Sequence, residues 1–97
     1  YAVGASKGYI YCRLEYPLAN QVLRDAIAEA RAAGWLGSRV SGKDFAFELE
    51  VYTGHGSYVC GEETSLLRSI EGKRPEVMAR PPYPTERGLF DRPTLVN

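Results

Sequence analysis

The stretch GYIYCRLEYPLANQVLRDAIAEARAAGW, residues 8–35, decides the fold, because it changes from a β-forming run to a helical period within a few residues. Tyr9-Ile10-Tyr11-Cys12-Arg13-Leu14 is rich in β-formers and lies between Gly8 and Pro17, which predicts a strand. Its near-continuous apolarity suits a buried parallel strand. From Ala19 the apolar positions run through Val22, Leu23, Ala26, Ile27, Ala30 and Ala33, a stripe with a 3.6-residue period. Pro17 fits the first turn, where a missing N–H costs nothing, and Gly34 fits the left-handed residue beyond the last turn, so a helix is predicted over about 17–33. Trp35 and Leu36 are expected to fold back onto it.

Outward from there, Ser38–Lys43 reads as a polar connector and Asp44–Tyr52 as a second strand. Phe45, Phe47, Leu49 and Val51 fall on one face of that strand and Ala46, Glu48 and Glu50 on the other. Strand, helix and strand make a βαβ unit, whose connection is expected to be right-handed and whose ligands bind outside the carboxyl ends of the strands. A second helix is expected from about Gly61 to Glu71, with Leu66, Leu67 and Ile70 inward and Gly72 as its stop. Residues 73–93 carry five of the six prolines, which excludes a helix and favours an extended, packed or clamping segment.

Composition narrows the classes. Ninety-seven residues allow one domain at most, and 44% hydrophobic with 25% charged residues is ordinary for a globular chain. Twelve basic side chains balance twelve acidic ones, so no basic stripe points to nucleic acid. Cys12 and Cys60 are far apart and a single histidine is present, so metal-ligand spacing is absent and reduced thiols are expected. No run of about 18 apolar residues could span a bilayer and no signal pattern opens the chain, which reads as cytoplasmic. Tyr1 and the apolar Thr94-Leu95-Val96 before Asn97 give the expectation of a fragment of something longer.

The chemistry concentrates in TGHGSYVCGEETSLL, residues 53–67. Gly54, Gly56 and Gly61 either let backbone approach a ligand or only shape a turn. Glu62 and Glu63 either complement the helix dipole or accept hydrogen bonds from hydroxyl groups, and both readings argue against a phosphate beside them. Tyr58 and Tyr83 either stack on a flat ring or pack as ordinary tyrosines. His55 and Ser57, two apart in a loop, are poorly spaced for base and nucleophile, and no GxSxG elbow is present. Cys60 reads as a small packed residue, because two adjacent carboxylates oppose a thiolate. Lys73, Arg74 and Arg80 are either solvated charges or, in a proline-stiffened segment, partners for a ligand phosphate.

The block Gly56-Ser57-Tyr58-Val59-Cys60-Gly61-Glu62-Glu63-Thr64-Ser65-Leu66-Leu67, followed by Ile70-Glu71-Gly72, Arg80-Pro81-Pro82-Tyr83-Pro84, Gly88-Leu89 and Pro93-Thr94-Leu95-Val96-Asn97, resembles the flavin subunit of respiratory complex I. Diaphorase subunits of NAD-reducing hydrogenases and β subunits of NAD-dependent formate dehydrogenases share that pattern. The resemblance implies an α/β fold: a Rossmann-like parallel βαβ core with a second helix and a Pro-rich extended C-terminal segment, the middle and C-terminal part of a larger FMN-binding domain. On that reading, the family's upstream glycine-rich loop and its downstream ubiquitin-like and iron-sulfur domains are expected to lie outside these 97 residues.

It further implies hydride transfer from NADH to FMN and electron transfer to an iron-sulfur cluster. Tyr58, Gly61, Glu62 and Glu63 should line the flavin and nicotinamide pocket, with Val96 and Asn97 helping to seat FMN. For NADH, Glu63 should accept from ribose hydroxyls, Arg80 should lie near the phosphates in a lysine-like position, and Tyr83 should stack where the family often has phenylalanine. A [4Fe–4S] cluster belongs to the parent subunit, and neither cysteine here is assigned to it. Expected partners are the iron-sulfur subunits of a multisubunit oxidoreductase, on the cytoplasmic face of a bacterial membrane if the parent is complex I, without membrane insertion or nucleic acid. The alternative is a folded fragment or assembly module that is catalytically inactive and carries no cofactor.

Overall fold

Lys7–Arg13 forms β1, Pro17–Ala32 forms α1, Glu48–Gly54 forms β2 and Glu63–Ile70 forms α2. The computed structural model describes residues 1–54 and 58–97. The chain divides into two compact units, Tyr1–Thr53 and Gly54–Asn97.

In the first unit, β1 and β2 form a two-stranded parallel sheet joined by α1, which packs against β1. The α/β architecture expected from the sequence is therefore present. Helix α1 begins with a proline in its first turn and ends at Ala33 as its C-cap. Gly34 follows with φ +85°, its N–H bonded to Arg31 O at 3.1 Å, and the Trp35 N–H reaches Ala30 O at 2.9 Å. These two bonds make a Schellman stop, which requires a left-handed residue at Gly34. The backbone of Trp35 thus turns back as expected, but its ring does not bury and stays 61% exposed. On α1 itself, Leu23, Ile27 and Ala30 are half-buried, whereas Val22, Ala19 and Ala26 of the same stripe are exposed.

The second strand starts later than the alternation implies. Phe47 exchanges both backbone hydrogen bonds with Gly37, at 2.8 and 2.9 Å, in an isolated antiparallel bridge. Pairing with the β1 side begins only at Glu48, whose N–H bonds Ser6 O at 3.0 Å. A period of two records which face a side chain takes, not which strand its backbone meets. Across the sheet Tyr11 stacks on Tyr52 with centroids 5.6 Å apart, and Lys7 pairs with Glu50 at 3.2 Å. A Cβ on Gly8 would sit 2.9 Å from the Phe47 ring and 3.1 Å from Leu49, so the bare backbone of Gly8 makes room for the second strand's apolar face.

Asn20 ties this unit together. Only 4% exposed, its amide donates to Arg13 O at 2.9 Å and Tyr16 O at 2.8 Å, and its oxygen accepts from Thr53 Oγ1 at 2.8 Å. The end of β1, the turn into α1 and the end of β2 therefore meet on one side chain. Arg24 adds a bond to the same threonine at 2.8 Å.

In the second unit, α2 packs against a 3₁₀ turn at Tyr58–Gly61 and another at Leu89–Asp91. Gly72, at φ +80°, and Lys73 close α2 with the same pair of bonds that end α1, to Ser69 O at 3.0 Å and Arg68 O at 2.9 Å. The proline-rich segment carries no α-helix, but it is not extended throughout as expected: it includes the 3₁₀ turn at Leu89–Asp91 and folds back on itself at residues 84–94, where local backbone bonds close a loop. There the Thr94 N–H bonds Pro84 O at 2.8 Å, the Gly88 N–H bonds Arg92 O at 2.7 Å, and the Thr94 hydroxyl accepts from the Leu89 N–H at 2.9 Å. Gly88 lies so close to this closure that a Cβ would fall 2.5 Å from Thr94 Cβ and 2.8 Å from Pro84 O. Among the described residues no helix is long and apolar enough to cross a membrane.

Candidate functional site

The glutamates predicted to matter sit where the turn at Tyr58–Gly61 runs into α2. Glu62 is the N-cap of that helix, with extended backbone at φ −88°, ψ 136°, and its carboxylate accepts the Ser65 N–H at 3.1 Å. An N-cap side chain satisfies amides that the first turn leaves without helical partners, a task usually given to Ser, Thr, Asp or Asn. Glu62 also accepts the Thr64 hydroxyl on the same oxygen and Arg80 on the other. Arg80 reaches Glu63 as well, at 3.1 Å, so one guanidinium gathers two adjacent carboxylates that would otherwise repel.

These charges are partly wet, with side chains 28% exposed at Glu62 and 36% at both Glu63 and Arg80. Burial pushes the Glu62 carboxyl up, but the bonds from Thr64 and the Ser65 amide, together with the Arg80 charge, outweigh it and hold the group below the usual carboxylate range. Glu62 is therefore an anion at neutral pH, and the cluster of two carboxylates and one guanidinium keeps one net negative charge. That charge opposes an added phosphate and favours neutral hydroxyl donors.

Around the cluster, Tyr58 is 93% exposed, which leaves its ring uncovered by the rest of the chain. Among the described residues, a Cβ on Gly61 would meet nothing within 4 Å, so none of them demands glycine there and its backbone is open to a ligand. Both features suit a flat ring laid against the turn, and the carboxylates suit its sugar hydroxyls. The residues present are thus compatible with the flavin and ribose parts of the expected ligands. Cys60, between them, is 6% exposed and is a free thiol, as is Cys12.

The structure brings Glu62, Glu63 and Arg80 together and puts Tyr58 and Gly61 on the adjoining turn. Tyr83, 53% exposed, has its carbonyl engaged by the amides of Glu86 and Arg87 at 2.8 and 2.9 Å. Among the described residues, Tyr83, half-buried Val96 and exposed Asn97 make no hydrogen bond or ion pair with the cluster. His55, Gly56 and Ser57 lie outside the described residues. A separate cavity of about 610 Å³ opens between α2 and residues 78–91, with Thr64, Leu67, Met78, Pro84 and Phe90 in its lining; of the candidate ligand-binding residues read from the sequence only Lys73 reaches it, and the expected flavin and nucleotide residues do not.

Sequence reasoning missed Thr64. It is 8% exposed, accepts the Met78 N–H at 3.0 Å and donates to Glu62, and so links the cap to the proline-rich segment. Its position two residues after an acidic cap was a signal that it could bond locally, but nothing in the spacing pointed to Met78.

The family model for the Nuo51 FMN-binding domain matches residues 1–97. The chain belongs to that family. As a Nuo51 domain it is 50% identical, over its whole length, to the F subunits of the NADH-quinone oxidoreductases of Aquifex aeolicus and Escherichia coli, covering 23% and 22% of them. It is also 50% identical to the HndC component of the NADP-reducing hydrogenase of Solidesulfovibrio fructosivorans, covering all of this chain and 20% of that one. A crystal structure of NAD+-reducing [NiFe]-hydrogenase in the H2-reduced state superposes with a TM-score of 0.71 at 39% identity, over 99% of this chain and 15% of that one. The chain thus spans about a fifth of the length of these curated relatives.

Proposed function

We propose that this chain is the part of an NADH:acceptor oxidoreductase flavin subunit that presents nicotinamide dinucleotide to FMN. The observation that carries the proposal is the Arg80-bridged pair Glu62 and Glu63, set beside the exposed Tyr58 and the open backbone of Gly61. When bound, FMN would accept a hydride and release its electrons singly to an iron-sulfur cluster held elsewhere in the parent.

The chain's own residues do the binding and orienting. Gly61 allows a ring system to approach backbone, and Tyr58 offers a face to stack against. Glu63 accepts hydrogen bonds from ribose hydroxyls, while Arg80 holds both carboxylates through Nη2 and turns its other guanidinium N–H groups to a dinucleotide phosphate that lies away from the two glutamates. Tyr83 stacks on the nucleotide, and Val96 and Asn97 help seat FMN. Relatives at the same identity carry names with both NADH and NADP, so family membership does not choose the nucleotide. The net negative charge of the cluster favours NADH, because a 2′-phosphate would face an uncompensated carboxylate. The parent's partners on this reading are iron-sulfur subunits of a multisubunit bacterial complex, at the cytoplasmic face of the membrane if that parent is complex I.

The test is FMN titration followed by flavin fluorescence, on the 97-residue chain and on the full parent subunit. Saturable binding by the parent, with bleaching of the flavin's visible absorbance on adding NADH, is the expected result. A parent that binds no FMN, or binds FMN that NADH does not reduce, would sink the proposal.

A further inference from the structure

The two glutamates are not equivalent. Glu62 has one oxygen taken by the Thr64 hydroxyl and the Ser65 amide and the other by Arg80, whereas Glu63 is held by Arg80 alone among the described residues. A hydroxyl has one proton to give, and that of Thr64 goes to Glu62 while a lone pair receives the Met78 N–H at 3.0 Å. The chain of bonds therefore runs in one direction, from the Met78 amide through Thr64 to the Glu62 carboxylate. Met78 stands two residues before Arg80, so this tether fixes the stretch of backbone from which the guanidinium reaches the carboxylates.

We propose that Thr64 is a positioning residue for the dinucleotide: its hydroxyl ties residues 78–80 to Glu62, holds Arg80 across the pair, and leaves Glu63 as the carboxylate with lone pairs for a ribose hydroxyl. This rests on the functional reading given above. Valine at 64 keeps the shape and removes the hydroxyl. The Met78 amide then loses its acceptor, and Glu62, short of one donor, competes for the guanidinium that Arg80 shares with Glu63. Nucleotide binding should suffer, and hydride transfer within the bound complex should not.

The experiment uses the full-length flavin subunit as wild type, Thr64→Val and Thr64→Ser, assayed for NADH oxidation with a one-electron acceptor such as ferricyanide, with bound FMN measured for each. Thr64→Val should raise KM for NADH about tenfold, as expected for a lost charge-assisted hydrogen bond. Its kcat should stay within about twofold and its FMN content should be unchanged, and Thr64→Ser, which restores the hydroxyl, should return KM to near wild type. The inference is overturned if KM in Thr64→Val stays at the wild-type value, if Thr64→Ser is impaired as much as the valine variant, or if the loss falls on kcat or on FMN content instead. A wild-type subunit that does not oxidise NADH at all would remove the functional reading, and the inference with it.

Discussion

Replacing Asn20 with alanine should loosen the first unit by an amount that its bonds allow to be worked out. The side chain makes three hydrogen bonds of 2.8 to 2.9 Å while 4% exposed. Each such bond contributes roughly 0.5–1.5 kcal/mol net, and a buried group left without a partner costs more. The penalty here belongs at the moderate end, because Arg13 O keeps the Tyr16 N–H at 3.2 Å and Tyr16 O keeps the Asn20 N–H at 3.0 Å. Three bonds at about 1 kcal/mol each give a loss of about 3 kcal/mol, or roughly 100-fold in a local opening equilibrium. Hydrogen exchange read by mass spectrometry on the parent subunit suits this loss, since it reports local opening where a global melt of a multidomain protein would not. Amides at 10–13 and 50–53 should exchange about 100-fold faster in Asn20→Ala. Asn20→Asp, the same shape with an oxygen facing two carbonyl oxygens, should be worse at neutral pH. Exchange within threefold of wild type in both variants would refute the claim that Asn20 joins the two strand ends.

The second unit offers further tests. Glu63→Gln in the parent should lower kcat/KM for NADH about tenfold and narrow its preference over NADPH, as an anion is exchanged for a neutral acceptor; unchanged selectivity would reject the role given to Glu63. Because the Glu62 carboxyl titrates below its ordinary range when folded, its contribution to stability is complete above that range and is lost as pH falls through the folded value. Protection of the Ser65 amide should therefore fade in acid, and Glu62→Gln should abolish that dependence; a variant that still shows it would assign the effect to another group. Gly88→Ala should cost about 1–3 kcal/mol by overpacking, since its new Cβ lands 2.5 Å from Thr94 Cβ. Faster exchange at 88–94 is the measurement, and unchanged protection there would show that the loop yields without cost.

Much of this was legible in the sequence, and what was not has a common physical origin. Helix α1 was readable because its stripe, Pro17 and Gly34 are local signals, and the Schellman bonds at Gly34 follow from chemistry within a few residues. Gly72 was legible for the same reason. The start of β2 was misread because Phe45 and Phe47 continue the alternation while Phe47 spends its backbone bonds on Gly37. The exposed ring of Trp35 was misread for want of any local signal of what would cover it. Glycine at 8 looked like a strand boundary, yet it answers to Phe47 and Leu49, some forty residues away. In the candidate site, Glu62, Glu63 and Arg80 were singled out from motif and chemistry, but that Arg80 would bridge the two carboxylates was not. Thr64 and Asn20 were not, because a buried hydroxyl or amide takes its meaning from partners 14 and 33 residues distant.

A glutamate as the cap of α2 also bears on how this surface can change over generations. Glu62 starts a helix, anchors Arg80 and receives Thr64 at once, so few replacements at that position could meet all three demands. Its neighbour carries one such tie among the described residues, so the fold itself leaves that position freer to vary. Were codons 62 and 63 randomised together and the variants selected for folding alone, diversity should collect at the second, and new nucleotide preferences should arise there without the helix having to be rebuilt.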